Sequence, residues 1–437
     1  MIRITRLTVL APLCALLLAC GGSGGSSTPA PSPQEKPMFD GLQVVRFPMG
    51  ATQPANPGSP FANRLTDCTF SNTRVESCTF GELPLLGGTT SNPTIENVMD
   101  RVLVSHPWMA ANFREVLGHM HPDMLLLLRG VTAVVISSDV RPAFYWTRTG
   151  AIYLDPEFIW LTPAERATIP DTPDFRSDFG SDLQFAMPWR YVKDNASAFS
   201  SVPFGAEQPR AIEDILINIA RLLYHELAHA NDYFPPERQA NRAPGQLVWQ
   251  GVHTPIVSDD LTSLMPLASA EMRQLARVRF HGDTATPAQR AYTPGHVADF
   301  FAPDSASVFY NYSSTREDLA MLFEIVMMRA RFGVQMDTAV TNNPTGPGVT
   351  GNDYIVAWGQ RDRIGEIRVR ERARYAVSRL LPEVSMDAYI DALPAPLMMR
   401  AGESWTANIV LGTDVTNKSL KVEQEAAEPV RELHGYH

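Results

Sequence analysis

The segment AIEDILINIARLLYHELAHANDYF constrains this chain more than any other stretch of it. Ile212, Ile215, Leu216, Ile219, Leu222 and Leu223 recur at helical spacing. Glu213 and Asp214 suit the first turn, and Pro235-Pro236 close the far end, so one long helix is expected. On it, His225-Glu226-Leu227-Ala228-His229 sets two imidazoles four residues apart. Residues at that spacing share a helix face, so both rings can converge on one ion. Two neutral imidazole nitrogens suit Zn²⁺, and the carboxylate of Glu226 can orient a water polarised by the ion and accept its proton. His225 and His229 are therefore expected metal ligands, with Glu226 as general base.

A catalytic zinc needs a third protein ligand and an open position. The extended metzincin pattern requires a glycine at position 232 and a histidine at 235; Asp232 and Pro235 stand there, which rejects that branch. The downstream candidates are Glu237, Glu271, Glu317 and Glu324. Glu237 follows two prolines too closely to fold back, and Glu271 sits in the Arg-rich SAEMRQLARVRF, which reads as an ordinary amphipathic helix with salt bridges. Glu317 follows the capping candidates Ser313, Ser314 and Thr315 and opens a helix of apolar neighbours. A carboxylate in the first turn of a buried helix calls for a cation.

Composition narrows the rest. The 437 residues are 44% hydrophobic and 19% charged, enough apolar material for more than one packed core. Thirty-five prolines, about 8% of the chain against a usual ~5%, favour long ordered loops and argue against a coiled coil or solenoid. The net charge is -10, and no basic cluster exceeds the stretch Arg361 to Arg374, which argues against nucleic acid as a partner.

The first twenty residues, MIRITRLTVLAPLCALLLAC, carry Arg3 and Arg6 and then an apolar run from Thr8 to Ala19 too short to span a bilayer, the pattern of an export signal. The junction Leu17-Leu18-Ala19-Cys20 resembles the lipobox of bacterial lipoproteins. That resemblance implies that residues 1–19 are removed and that Cys20 carries lipid, holding the chain on a membrane. Residues 20–37 then read as a flexible Gly/Ser- and Pro-rich tether. Gly21 and Gly22 lack the Asp of inner-membrane retention, so the outer membrane or cell surface of the bacterial envelope is the expected location. Loss of Arg3 and Arg6 takes the net charge from -10 to -12. Cys14 leaves with the signal, and an oxidising compartment makes Cys68 and Cys78 a disulfide pair worth roughly 2.5–3 kcal/mol on the chain-entropy model.

Residues 38–95 read as an irregular arm stapled by that pair, 96–400 as the catalytic domain, and 401–437 as a last strand, at 404–412, and a charged tail. Helical spacing runs from Thr94 to Leu128, broken at Pro107 and Pro122; His106, His119 and His121 fall at helix ends, as solvated or capping residues. VTAVVISS, AFYWT and AIYLD predict a small mixed or antiparallel sheet. Residues 160–210, with Asp171, Asp174, Asp178 and Asp182, read as a surface connection, and 334–352 as a polar loop. Further helices are expected at 263–280, 316–332, 361–380 and 385–393.

HELAHANDY, together with Tyr310 and the run Glu317-Asp-Leu-Ala-Met-Leu-Phe, resembles the paired elements of gluzincin zinc metallopeptidases related to the catalytic domain of anthrax lethal factor. The resemblance spans roughly residues 130 to 330. It implies an α+β fold with a zincin-like core, with Glu317 on a second helix completing the zinc site of His225 and His229. It also implies that Tyr310, seven residues before that Glu, stabilises the oxyanion; Tyr312 and Tyr233 compete for this role. A sheet strand, AIYLD, would line the cleft and pair with an extended peptide substrate. Met321 departs from the pattern, since those relatives often carry a second Glu there. The expected activity is peptide-bond hydrolysis. Two alternatives are a binding or assembly lipoprotein on a zincin-like scaffold and a zinc amidase acting on cell-wall material. Glu226 separates the first of these, because a structural zinc has no use for a general base.

Overall fold

The computed structural model describes residues 51–69, 77–171, 176, 178–199, 208–252, 254–412 and 421–423, which belong to one unit, Met38–His437. Arg3, Arg6, Cys14, Cys20, the tether, Asp174 and the tail beyond 423 lie outside the described residues. The architecture is mixed α+β, built on two small sheets.

Short β-branched and aromatic runs make the first sheet: β1 (Gln53–Pro54), β2 (Val102–Val104), β3 (Val134–Ile136), β4 (Phe144–Trp146) and β5 (Ala151–Leu154), in the order β1-β2-β3-β5-β4. The sheet is mixed: β2, β3 and β5 run parallel, while β1 and β4 are antiparallel to their neighbours. Alternation along each strand gives every residue one of two faces. Val102, Val104, Val134, Ile136, Tyr145, Ile152 and Leu154 join the main helical core. Leu103, Val135, Phe144, Trp146 and Tyr153 face a second cluster with Leu65, Cys68 and Cys78. The arm therefore covers one side of the sheet, with a helix at Ala62–Thr69 and a Cys68–Cys78 disulfide whose Cα atoms are 5.3 Å apart. AIYLD is β5, and its two edges are already paired by β3 and β4, so it has no edge left for a substrate; its neighbour β4 is one of the two border strands of the sheet, with β1 at the other end.

The long helix spans Ile212–Tyr233, and from Asn218 onward every residue is buried. It packs against β4, β5 and the helix Thr315–Phe332, which Ser314 caps by accepting from the Glu317 amide at 3.2 Å. Asp318 anchors the same helix end: Arg372 Nη1 donates to its Oδ1 at 3.0 Å and Asn311 Nδ2 at 2.9 Å, all buried.

The second sheet was not legible as a sheet. Its strands are β6 (Phe185–Ala186), β7 (Trp189–Lys193), β8 (Ala196–Ser197), β9 (Gln335–Asn342), β10 (Val356–Arg361) and β11 (Leu397–Met398), ordered β11-β10-β9-β7-β8 with β6 also paired to β9. The stretches 160–210 and 334–352, read as loops, supply four of them. The charge inside β9 is neutralised from afar: Asp337 accepts from Arg190 Nε at 2.9 Å and from Arg361 Nε at 2.6 Å. The helix expected at 263–280 is two, Val257–Leu264 and Ala270–His281, because Pro266 lies in the connection and Ser269 caps the second. At 404–412 a single turn, Ala407–Ile409, replaces the expected strand; Asn408 Nδ2 bonds the Arg400 and Ser404 carbonyls and holds the chain curled. Among the described residues no helix is long and apolar enough to cross a membrane.

Candidate metal centre

The long helix brings His225 and His229 onto one face, their ring centroids 4.9 Å apart. The Thr315–Phe332 helix meets that face with its N-terminal end, which is where Glu317 sits. Glu317 Oε2 lies 2.9 Å from His225 Nε2 and 3.4 Å from His229 Nε2. One ligand atom from each of these residues falls within 4.8 Å of the others, and all three side chains are buried, so the group could hold a metal ion. The donor set of two imidazole nitrogens and one carboxylate oxygen fits a divalent cation such as zinc.

The electrostatics agree with that fit. Burial by itself favours the neutral acid of Glu317, but the charge of His229 and hydrogen bonds from both histidines outweigh it and hold the carboxyl well below its usual range. Burial likewise works to lower His225, yet Glu317 and Glu324 raise it to about 10. Glu324 faces the opposite nitrogen: its Oε2 is 3.2 Å from His225 Nδ1, and its Oε1 accepts from the Tyr191 hydroxyl at 2.9 Å. Glu324, a candidate third ligand, therefore lies across the His225 ring from Glu317 and outside the group of three.

Glu226, next to His225 in the chain, is fully buried. Tyr310 belongs to the same neighbourhood: its ring centroid is 6.2 Å from that of His225, and its hydroxyl is hydrogen-bonded to Glu317. Burial, then the Glu317 charge, and further down the Glu226 charge, keep that hydroxyl protonated well past its ordinary range, against an opposing pull from Arg176. The other two tyrosines are committed elsewhere. Tyr312 donates to Asp304 Oδ2 at 2.8 Å, and Tyr233 stacks on Tyr145 at 5.9 Å and is hydrogen-bonded to Arg316.

The remaining candidates lie outside the centre. Glu237, in the turn Pro236–Arg238, pairs with Arg379 at 3.4 Å, and Glu271 accepts from Gln289 at 3.3 Å. His106 precedes the helix Pro107–His119 and bonds Ser105 Oγ at 2.9 Å, His119 ends that helix, and His121 pairs with Asp123 at 2.9 Å. Asp182 pairs with Arg290 at 2.6 Å, and Asp171 pairs with Arg166. Met321 is packed in the core. Sequence reasoning missed Tyr191 and Arg176. The signal for Glu324 was present, since a charge inside the apolar run LAMLFEIVMM, two turns beyond Glu317, must find a buried partner.

No protein-family model matches the chain, and neither a curated protein nor a solved structure matches it.

Proposed function

We propose that this chain is a zinc-dependent metallohydrolase of gluzincin type, a peptidase, held at the bacterial cell envelope by lipid on Cys20. The observation that carries the reading is the meeting of His225, His229 and Glu317 at one point beside a buried Glu226. The mixed sheet supports a zincin-like core: its border strand β4 is antiparallel to β5 and packs against the helix that bears the histidines. An extended peptide would add to that border by backbone pairing.

Zinc, when bound, supplies Lewis acidity that lowers the pKa of water towards ~7 and polarises a carbonyl. His225, His229 and Glu317 would hold it. Glu226 takes the proton of the attacking water and returns it to the leaving amine. The Tyr310 hydroxyl, kept protonated by its surroundings, donates to the oxygen of the scissile carbonyl as negative charge develops there.

One observation favours a second reading. The burial of all four side chains suits a metal that ties two helices together without turnover. Incubating a peptide library with native protein and with Glu226→Gln separates the two. Cleavage by the native chain that disappears in the variant supports a peptidase; the absence of cleavage in both, with zinc retained, supports the structural role.

A further inference from the structure

Two carboxyl groups bracket the His225 ring, one at each nitrogen. Glu317 approaches Nε2 at 2.9 Å and Glu324 approaches Nδ1 at 3.2 Å. The two acids are seven residues apart on one helix, two turns, so they project from the same face. A neutral imidazole carries its proton on one nitrogen and a lone pair on the other, and the partner of the protonated nitrogen decides which is which. Glu324 has a second contact: the hydroxyl of Tyr191 donates to its Oε1 at 2.9 Å. Tyr191 is on β7, in the second sheet, and its ring forms a triangle with those of Trp189, at 6.0 Å, and Phe199, at 6.2 Å. Glu324 and Tyr191 are themselves fully buried.

We infer that Glu324, held in place by Tyr191, is the positioning residue of the metal centre: it keeps the proton of His225 on Nδ1 and so presents the Nε2 lone pair to the metal. The inference rests on the proposed metal site and adds what the resemblance leaves open. With Met321 where a second Glu would stand, the support comes from three residues further along the helix and from a strand of the other sheet. Acceptors of this kind orient a metal-binding histidine and raise its basicity, and their loss costs 10- to 100-fold in metal affinity. The second sheet thereby acquires a part in metal binding, since β7 reaches Glu324 through one hydroxyl.

The test is zinc affinity of the full chain in detergent micelles, measured with zinc alone by competition against a chelating indicator. Native protein is compared with Glu324→Gln, Glu324→Leu, Tyr191→Phe and the double variant Glu324→Leu/Tyr191→Phe, and thermal unfolding of each metal-free protein reports its fold. The expected result is a Kd about 10-fold higher in Glu324→Gln and up to about 100-fold higher in Glu324→Leu. The metal-free melting temperature of Glu324→Leu should fall, because the Tyr191 hydroxyl and the His225 Nδ1–H lose their buried acceptor, so zinc affinity is read at a temperature where every variant is folded. Tyr191→Phe should weaken zinc by a smaller factor and add nothing to Glu324→Leu, because the hydroxyl acts through that carboxyl. A Kd within twofold of native in both Glu324 variants overturns the inference, as does a Tyr191→Phe effect of equal size in both backgrounds. Should Glu324→Leu fail to fold, Glu324→Gln and Tyr191→Phe decide by the same criterion. Failure of the native chain itself to bind zinc would instead defeat the functional proposal on which the inference stands.

Discussion

His225 Nε2 lies 2.9 Å from Glu317 Oε2, a buried contact that joins the two helices of the candidate metal centre. In the metal-free protein this contact and the Glu324 contact raise the imidazole to about 10 from an ordinary 6.5, against the effect of burial. At neutral pH the ring is therefore protonated, and metal must displace that proton. Zinc uptake at pH 7 should release close to one proton per site, and zinc affinity should fall as pH is lowered. Calorimetric titration in buffers of different ionisation enthalpy measures the release; an enthalpy independent of buffer would contradict it. The linkage also has a defined sign for stability. Because the folded value lies above the unfolded one, the contribution of His225 to the metal-free fold is fully present below about pH 6.5 and is lost as pH rises through about 10. Urea unfolding of the metal-free chain across that window should show the decline.

Asp318 and Arg372 form a buried ion pair at the capped end of the helix that carries Glu317. Removing one partner of such a pair leaves a buried charge uncompensated, a loss of about 3–5 kcal/mol. Arg372→Met should therefore lower the unfolding free energy of the metal-free chain by that amount, read as a lower urea midpoint. It should also weaken zinc binding, because Glu317 is the neighbouring residue on the same helical turn. A midpoint unchanged from native would show that the pair does not hold the helix end.

The three tyrosines near the centre should separate in kinetics. Tyr310→Phe should lower kcat by roughly two to three powers of ten with little change in KM and with zinc retained, since one oxyanion donor contributes about 2.7–4 kcal/mol. Tyr312→Phe and Tyr233→Phe should leave kcat near native, as their hydroxyls serve Asp304 and Arg316. Unchanged kcat in Tyr310→Phe with a large fall in either of the others would remove Tyr310 from the chemistry.

What was legible in the sequence was local. His225, Glu226 and His229 could be placed together because one helix carries them, and helical spacing is a short-range property. The strands around Val134, Phe144 and Ala151 were visible through their β-branched and aromatic runs. What was hidden depends on partners far along the chain. Asp337 makes β9 look polar, and it becomes core only when Arg190 and Arg361 arrive from two other strands. Tyr191 has no feature that marks it before the sheet forms. Glu317 stands between these cases: its cap is local and readable, but its partners come from a helix about ninety residues earlier.

Whether His225, His229 and Glu317 form one metal site is decided by the zinc content of purified native protein beside Glu317→Ala and Glu271→Ala. One zinc per native chain is expected, one in Glu271→Ala and none in Glu317→Ala. Full zinc in Glu317→Ala, above all with loss in Glu271→Ala, would contradict it.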